Sequence, residues 1–141
     1  MKLNTRNIAR KSGMTLLELT VVILVLLSLI SILFVGARAW KKGADRSANI
    51  MNIRNVQQAV RGHANMNGLA DGATLASTTI FGAAGDGVGG YLKSPASPTA
   101  GIAYTYLSVV PAVGTLYTTV TYTGTATAAD YGPDTTLTAS W

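Results

Sequence analysis

The pattern of apolar and polar residues marks one long segment without charged side chains, and it begins directly after a single carboxylate. Residues 19–37 are predominantly apolar, and Glu18 immediately precedes them. As a helix this segment would be about 28 Å long, close to the thickness of the hydrocarbon core of a bilayer. It therefore predicts a membrane-inserted helix. A charge at the edge of such a helix costs about 2 kcal/mol or more unless it is paired, so we expect Glu18 to have a partner.

Beyond residue 38 the pattern becomes that of an amphipathic helix. Apolar residues recur mostly three or four positions apart, with polar residues between them, among them Asn49 and Gln57. The apolar positions are Trp40, Ile50, Ile53, Val56, Val60 and Ala64. No proline interrupts residues 14–66, so one continuous helix is predicted there, weakest at Gly36 and Gly43.

The rest of the chain, residues 67–141, predicts a small β-rich head. One short helix is expected near residues 74–80, followed by a connector rich in glycine and proline. Three runs of β-branched and aromatic residues then predict three antiparallel strands, at residues 101–110, 115–123 and 135–141. Such a sheet is marginal alone, so we expect it to pack on the apolar face formed by Ile50, Ile53, Val56 and Val60. The predicted fold class is α+β.

Net charge changes the picture less than its total suggests. The chain carries +5, but residues 1–13 alone hold four basic and no acidic residues, which leaves +1 for the remainder. Nucleic acid is therefore not an expected partner once that segment is removed. The chain has no cysteine, so disulfides and thiolate metal sites are excluded.

A basic segment before an apolar one is also typical of a secretory signal peptide. Here the apolar run is too long and lacks an Ala-X-Ala ending, so an uncleaved anchor or a cut before the apolar run fits better. Basic residues before a span mark the cytoplasmic side, but Arg38, Lys41, Lys42 and Arg46 flank the other end. For these later bases we expect a solvated helix face in preference to contacts with lipid or a neighbouring subunit.

The segment Gly13-Met14-Thr15-Leu16-Leu17-Glu18-Leu19 resembles the class III signal of type IV pilins and of the related pseudopilins of type II secretion. The resemblance rests on the combination of a short basic leader, a glycine, Thr-Leu-aliphatic-Glu-Leu, an apolar run and an amphipathic helix. Methionine stands where phenylalanine is commoner in that family. The resemblance covers the leader and the helix by motif, and the head by architecture alone.

The resemblance implies a pilin-like architecture and a processing route. A prepilin peptidase would cut between Gly13 and Met14 and methylate the new amino terminus. The predicted organisation is a cleaved leader (1–13), a membrane and filament-core helix (14–37), an amphipathic helix (38–66) and the head (67–141). Thr15, Leu16, Leu17 and Leu19 belong to the assembly motif, and residues 16–34 would form the filament core.

The resemblance also implies a partner for Glu18. In the family mechanism this carboxylate pairs with the amino terminus of a neighbouring subunit in a helical homopolymer. The precursor would sit in the inner membrane as a single span with its amino terminus cytoplasmic, and an assembly platform with its ATPase would build an extracellular filament. A periplasmic pseudopilus of type II secretion is the alternative, favoured by the absence of cysteine and by Tyr91-Leu92-Lys93, which is similar to a segment of major pseudopilins. An uncleaved anchor that carries a β-rich binding module is the second alternative.

No residue pattern indicates an enzyme. Downstream of Asp45 the chain has one histidine, four aspartates and no glutamate or cysteine. The glycine-rich residues 82–90 lack the Gly-Lys-Ser/Thr of a phosphate loop, which predicts a flexible surface loop, and His63 is expected to have a surface or packing role.

The head offers two further hypotheses. Asp130 and Asp134 lie four apart around a Gly-Pro turn and would supply part of a calcium site, as in major pseudopilins, or else form a solvated turn. No other cofactor is expected. Tyr104, Tyr106, Tyr117, Tyr122 and Trp141 form either a ligand-stacking surface or, as we prefer, cross-strand and core packing.

Overall fold

The computed structural model describes Gly13, residues 15–139 and Trp141, and it divides the chain into two compact units. The first unit ends at Arg38, and the second runs from Ala39 to Trp141. Helix α1, Leu16–Asn67, contributes residues to both. Its predicted start at residue 14 falls on Met14, which lies outside the described residues, and its end agrees with the Asn-Gly signal at residues 67 and 68.

In the first unit every side chain of α1 is exposed. The three hydroxyl groups of its apolar run donate hydrogen bonds to backbone carbonyls one turn earlier: Thr20 to Leu17, Ser28 to Val25 and Ser31 to Leu27, at 2.8–2.9 Å. Each hydroxyl is therefore satisfied within the helix, as an apolar environment requires. This part of α1 is long and apolar enough to cross a membrane.

The second unit is built on the amphipathic part of α1. Five elements follow it: α2 (Ser77–Phe81), β1 (Ile102–Tyr106), β2 (Thr118–Tyr122), α3 (Ala128–Tyr131) and α4 (Thr135–Thr138). β1 and β2 pair antiparallel, with Ile102 opposite Tyr122 and Tyr106 opposite Thr118. A long helix packed on a small antiparallel sheet is an α+β fold, as predicted.

The core of this unit lies where the sequence places it on the helix. Ile53, Val56 and Val60 are at most 1 % exposed, and Ile50 is partly buried. Around Val56 and Val60 the core is completed by Ala64, Leu75, Ile80, Phe81, Val110 and Tyr117. Much of the core therefore comes from α2 and from segments outside the helices and strands, and not from the sheet itself.

The prediction of a third strand at residues 135–141 is wrong. Residues 135–138 form the short helix α4, because the Asp134 carboxylate accepts hydrogen bonds from the Thr136 N–H at 3.0 Å and the Thr136 hydroxyl at 2.9 Å. An aspartate in this N-cap position stabilises a helical first turn and outweighs the β propensity of threonine. The sheet consequently has two strands among the described residues.

The glycine-rich residues 82–90 follow a path fixed by hydrogen bonds. The Gly87 N–H donates to the Phe81 carbonyl and the Tyr91 N–H to the Ile80 carbonyl, both at 2.8 Å. Gly82 has a φ of +79°, and a β-carbon there would collide with the Val88 carbonyl. This surface segment is thus a set of hydrogen-bonded turns.

Candidate assembly site

Thr15 and Glu18 form a capping box at the start of α1. The Thr15 N–H donates to Glu18 Oε2 at 2.7 Å, and the Thr15 hydroxyl donates to the same oxygen at 3.0 Å. In return the Glu18 N–H donates to Thr15 Oγ1 at 3.2 Å. This reciprocal pattern satisfies two backbone donors that a helix start otherwise leaves unpaired. Glu18 therefore has a second role, as a cap, that the assembly motif alone does not indicate.

The sequence contains the signal for this cap, since Thr15-Leu16-Leu17-Glu18 has the Thr-X-X-Glu spacing before an apolar run. Both bonds to the carboxylate end on Oε2, and no described residue reaches Oε1. The carboxylate is exposed. One oxygen thus holds the helix start, and the other is open to a further donor.

The remaining residues of the predicted assembly motif lie around this cap. Gly13 is exposed and non-helical, whereas Met14 lies outside the described residues. Leu16, Leu17 and Leu19 are 82 %, 72 % and 50 % exposed. The apolar surface continues along α1 to Val35, which is 73 % exposed. The first part of α1 therefore exposes the Glu18 carboxylate and, after it, a long apolar surface.

The exposed helix face predicted for Arg38, Lys41, Lys42 and Arg46 is present, and two of these residues also contact the head. Lys42 Nζ lies 2.7 Å from Asp130 Oδ1, and the Arg46 Nε–H donates to the Gly132 carbonyl at 3.3 Å. Their spacing of four places both on one face of α1, which contacts α3 and the residue that follows it. The two contacts to the head were not predicted, because charge alone does not show that a distant segment of the chain returns to this face.

Asn49 continues the same face and is fully buried. Its Nδ2 donates to the Tyr131 carbonyl at 2.8 Å and to the Tyr122 hydroxyl at 3.3 Å, while its Oδ1 accepts from the Tyr104 hydroxyl at 2.7 Å. Gln57 is 3 % exposed; it donates to the Thr115 carbonyl at 3.1 Å and accepts from the Tyr117 N–H at 2.9 Å. Two side chains assigned to the polar face thus hold the sheet to α1.

The aromatic residues of the sheet pack inward. Tyr117 is fully buried, its hydroxyl donates to the Leu75 carbonyl at 3.2 Å, and its ring lies 6.1 Å from that of Tyr106. Tyr106 in turn packs on Phe81, with ring centroids 4.5 Å apart. Burial raises the pKa of both Tyr104 and Tyr117, opposed at Tyr104 by a hydrogen bond from Asn52. For Tyr104, Tyr106, Tyr117 and Tyr122 these contacts favour the packing interpretation over a stacking surface.

Asp130 and Asp134 have different partners. A hydrogen bond from Lys42 lowers the pKa of Asp130, helped by one from Thr127, and hydrogen bonds from Thr136 lower the pKa of Asp134. Calcium needs six to eight oxygen ligands, and the described residues contain no group of three side chains from His, Cys, Asp and Glu. A calcium ion bound by Asp130 Oδ1 would have to displace the Lys42 ammonium group, which lies 2.7 Å from it.

His63 makes polar contacts on the surface of α1. Its Nδ1 lies 3.0 Å from the Tyr91 hydroxyl, and the two rings meet edge to face at 5.2 Å. This contact is of the packing kind expected for it.

Comparison with known proteins adds no relative. No protein-family model, curated protein or solved structure matches this chain significantly. The functional argument therefore rests on the motif, the capped carboxylate and the two units described above.

Proposed function

We propose that this chain is the precursor of a pilin-like structural subunit, cleaved between Gly13 and Met14 and polymerised into an extracellular helical filament. The observation that carries the proposal is the capped Glu18 carboxylate at the start of the exposed apolar part of α1. In this proposal the subunit waits in the inner membrane as a single span with its amino terminus cytoplasmic. It is a structural protein and not an enzyme, and its head packs on α1 in a pilin-like arrangement.

The cap explains how the membrane can accommodate the Glu18 carboxylate before assembly. A negative group in the first helical turn is favoured by the helix dipole by about 0.3–1 kcal/mol. The hydrogen bonds from Thr15 add to this and keep one carboxylate oxygen satisfied within the chain. The energetic cost of holding Glu18 near the interface is thereby reduced without an external cation.

The free oxygen of Glu18 then sets subunit register. Cleavage after Gly13 creates an ammonium group on Met14, and Oε1 of a neighbouring subunit's Glu18 is the acceptor for it. A misplaced subunit leaves this charge unpaired in an apolar filament core, at a cost of several kcal/mol. The exposed residues 16–34 pack around this pair, and the assembly platform and its ATPase supply the force for insertion.

Intact mass is the first test. A mature protein that begins at Met14 and carries one additional methyl group supports the proposal. A protein that retains residues 1–13 supports instead an uncleaved anchor for a binding module, and it refutes the pilin route.

A matched series at the cap separates the two roles of Glu18. Glu18→Gln keeps a side chain that can complete the capping box but removes the charge, whereas Thr15→Val removes the two hydroxyl bonds of the cap and keeps the charge. We expect Glu18→Gln and Glu18→Ala to be cleaved normally and to fail in assembly, and Thr15→Val to assemble. Filaments formed by Glu18→Gln but not by Thr15→Val would show that only the cap matters, which contradicts the register role.

A periplasmic pseudopilus of type II secretion is the second candidate. The absence of cysteine and the Tyr91-Leu92-Lys93 segment favour it. In the structure the Tyr91 and Leu92 N–H groups both donate to the Ile80 carbonyl, at 2.8 and 3.0 Å, so that segment anchors the turns after α2. Labelled antibody against the head should decorate fibres outside the cell if the first candidate is right, and should stay within the envelope if the second is right.

A further inference from the structure

A recess of about 300 Å³ lies on the second unit. Four of its lining residues are on α1 and the fifth is Trp141: Arg54, Gln57, Gln58, Arg61 and Trp141. The helical residues are spaced three, four and seven apart, so they share one face of α1. The recess therefore has a wall of two guanidinium groups and two amides facing an indole ring.

Arg61 supplies the main evidence that the recess binds a ligand. Its Nη2 is buried, and no described residue accepts a hydrogen bond from it. Its Nη1 lies 3.5 Å from Asp71 Oδ1, at the outer limit of a hydrogen bond, so this carboxylate satisfies the other nitrogen weakly. Buried polar groups in folded proteins are nearly always paired, so the described residues leave the Arg61 guanidinium group incompletely satisfied.

The other residues that line the recess indicate the charge of a ligand that would bind there. The guanidinium carbon of Arg54 lies 5.7 Å from the centre of the Trp141 ring, so a second cation borders the same space. Gln57 is held by its hydrogen bonds to Thr115 and Tyr117, which fixes the base of the recess. Two cations face the recess, and Asp71 partly balances one of them.

We propose that this recess binds an oxyanion, the carboxylate or phosphate group of a small molecule. The guanidinium groups of Arg61 and Arg54 are its donors, because a guanidinium group binds carboxylate and phosphate oxygens through parallel N–H bonds. Arg54 adds charge, and the Trp141 ring contacts the apolar part of the ligand. This role does not depend on whether the chain polymerises.

The two tryptophans allow a direct test on the full chain in detergent micelles. Trp141 borders the recess, and Trp40, 86 % exposed on α1, serves as an internal reference. Sodium acetate and inorganic phosphate would be titrated against sodium chloride at constant ionic strength, with the ¹⁵N-labelled indole resonances as the readout. We expect a saturable shift of the Trp141 resonance with at least one of the two anions, and none of Trp40. The stronger of the two identifies the chemical class of the ligand.

Variants test whether Arg61 is a donor. Arg61→Gln should weaken binding by about tenfold or more, the effect of losing a charged hydrogen bond. Arg38→Gln, the same substitution at an exposed arginine of α1, should leave binding unchanged. If Arg61→Gln fails to fold, Arg61→Lys keeps the charge without the planar fork and should also weaken binding.

Three results would overturn the proposal. The first is a Trp141 resonance that does not move saturably with either anion in the unmodified protein. The second is a shift that chloride reproduces equally. The third is unchanged binding in a folded Arg61 variant.

Discussion

At the scale of single residues, Asn49 shows what the sequence pattern leaves out. It follows the apolar spacing of α1, four residues before Ile53 and seven before Val56, yet an asparagine in such a pattern is normally assigned to the solvated face. Its burial becomes favourable only because Tyr104, Tyr122 and the Tyr131 carbonyl meet it from segments far along the chain. The spacing was available in the sequence, whereas the partners were not.

The prediction for Asn49 follows from these partners. Asn49→Ala removes the hydrogen bonds from Asn49 to the part-buried Tyr122 hydroxyl and to the Tyr131 carbonyl, and the acceptor of the Tyr104 hydroxyl, so we expect the free energy of unfolding to fall by about 2–4 kcal/mol. For a unit of this size the melting temperature should drop by roughly 8–20 °C. Asn55→Ala, the same change at an exposed position of α1, should cost less than about 0.5 kcal/mol. Equal melting temperatures for the two variants would show that the Asn49 network does not stabilise the fold.

At the scale of elements, long periodic segments were predictable and short capped ones were not. The position of α1 follows from the uninterrupted pattern up to Asn67, and β1 and β2 lie within two of the predicted runs. The run at residues 135–138 has the same β-branched composition, but Asp134 precedes it and caps a helix. Composition thus predicted a strand correctly only where no side chain formed a local hydrogen bond that caps a helix.

Calcium binding by Asp130 and Asp134 stays a prediction of the family resemblance, and the structure sharpens its test. A calcium ion near Asp130 must displace the Lys42 ammonium group, which lies 2.7 Å from Oδ1. If the ion binds, millimolar calcium should raise the melting temperature more in Lys42→Met than in the unmodified protein, and Asp134→Ala should abolish the rise. Lys41→Met is the matched control, because Lys41 pairs with Asp45 instead. A melting temperature that calcium leaves unchanged in both the unmodified protein and Lys42→Met would end the calcium hypothesis.

At the scale of the whole molecule, the two units differ in what covers their apolar side chains. The second unit buries its apolar face internally, around Val56, Val60 and Tyr117, whereas the apolar side chains of the first are all exposed. The sequence predicts this division because an apolar stretch without polar residues has no polar face, whereas a helix packed on a head is apolar on one side and polar on the other. In the proposed function, lipid or further copies of this chain cover the first unit. The sequence motif therefore contributes more to the proposal than the packing of the head does.

The stability of the second unit should depend on pH through its buried tyrosines. Burial raises the pKa of Tyr104 and of Tyr117 above the ordinary value of 10.0, and the neighbouring Tyr106 contributes to both. Above about pH 10 the unfolded chain loses these protons while the folded chain keeps them, so the unfolded state is favoured as pH rises. The contribution is complete below pH 10 and is lost as pH climbs towards the folded-state values. Urea unfolding between pH 8 and pH 11 should therefore show a falling free energy of unfolding. Tyr104→Phe should be less stable at pH 8, because it loses the bond to Asn49, but should show a shallower decline; a decline as steep as that of the unmodified protein would exclude Tyr104 as a source of the pH dependence.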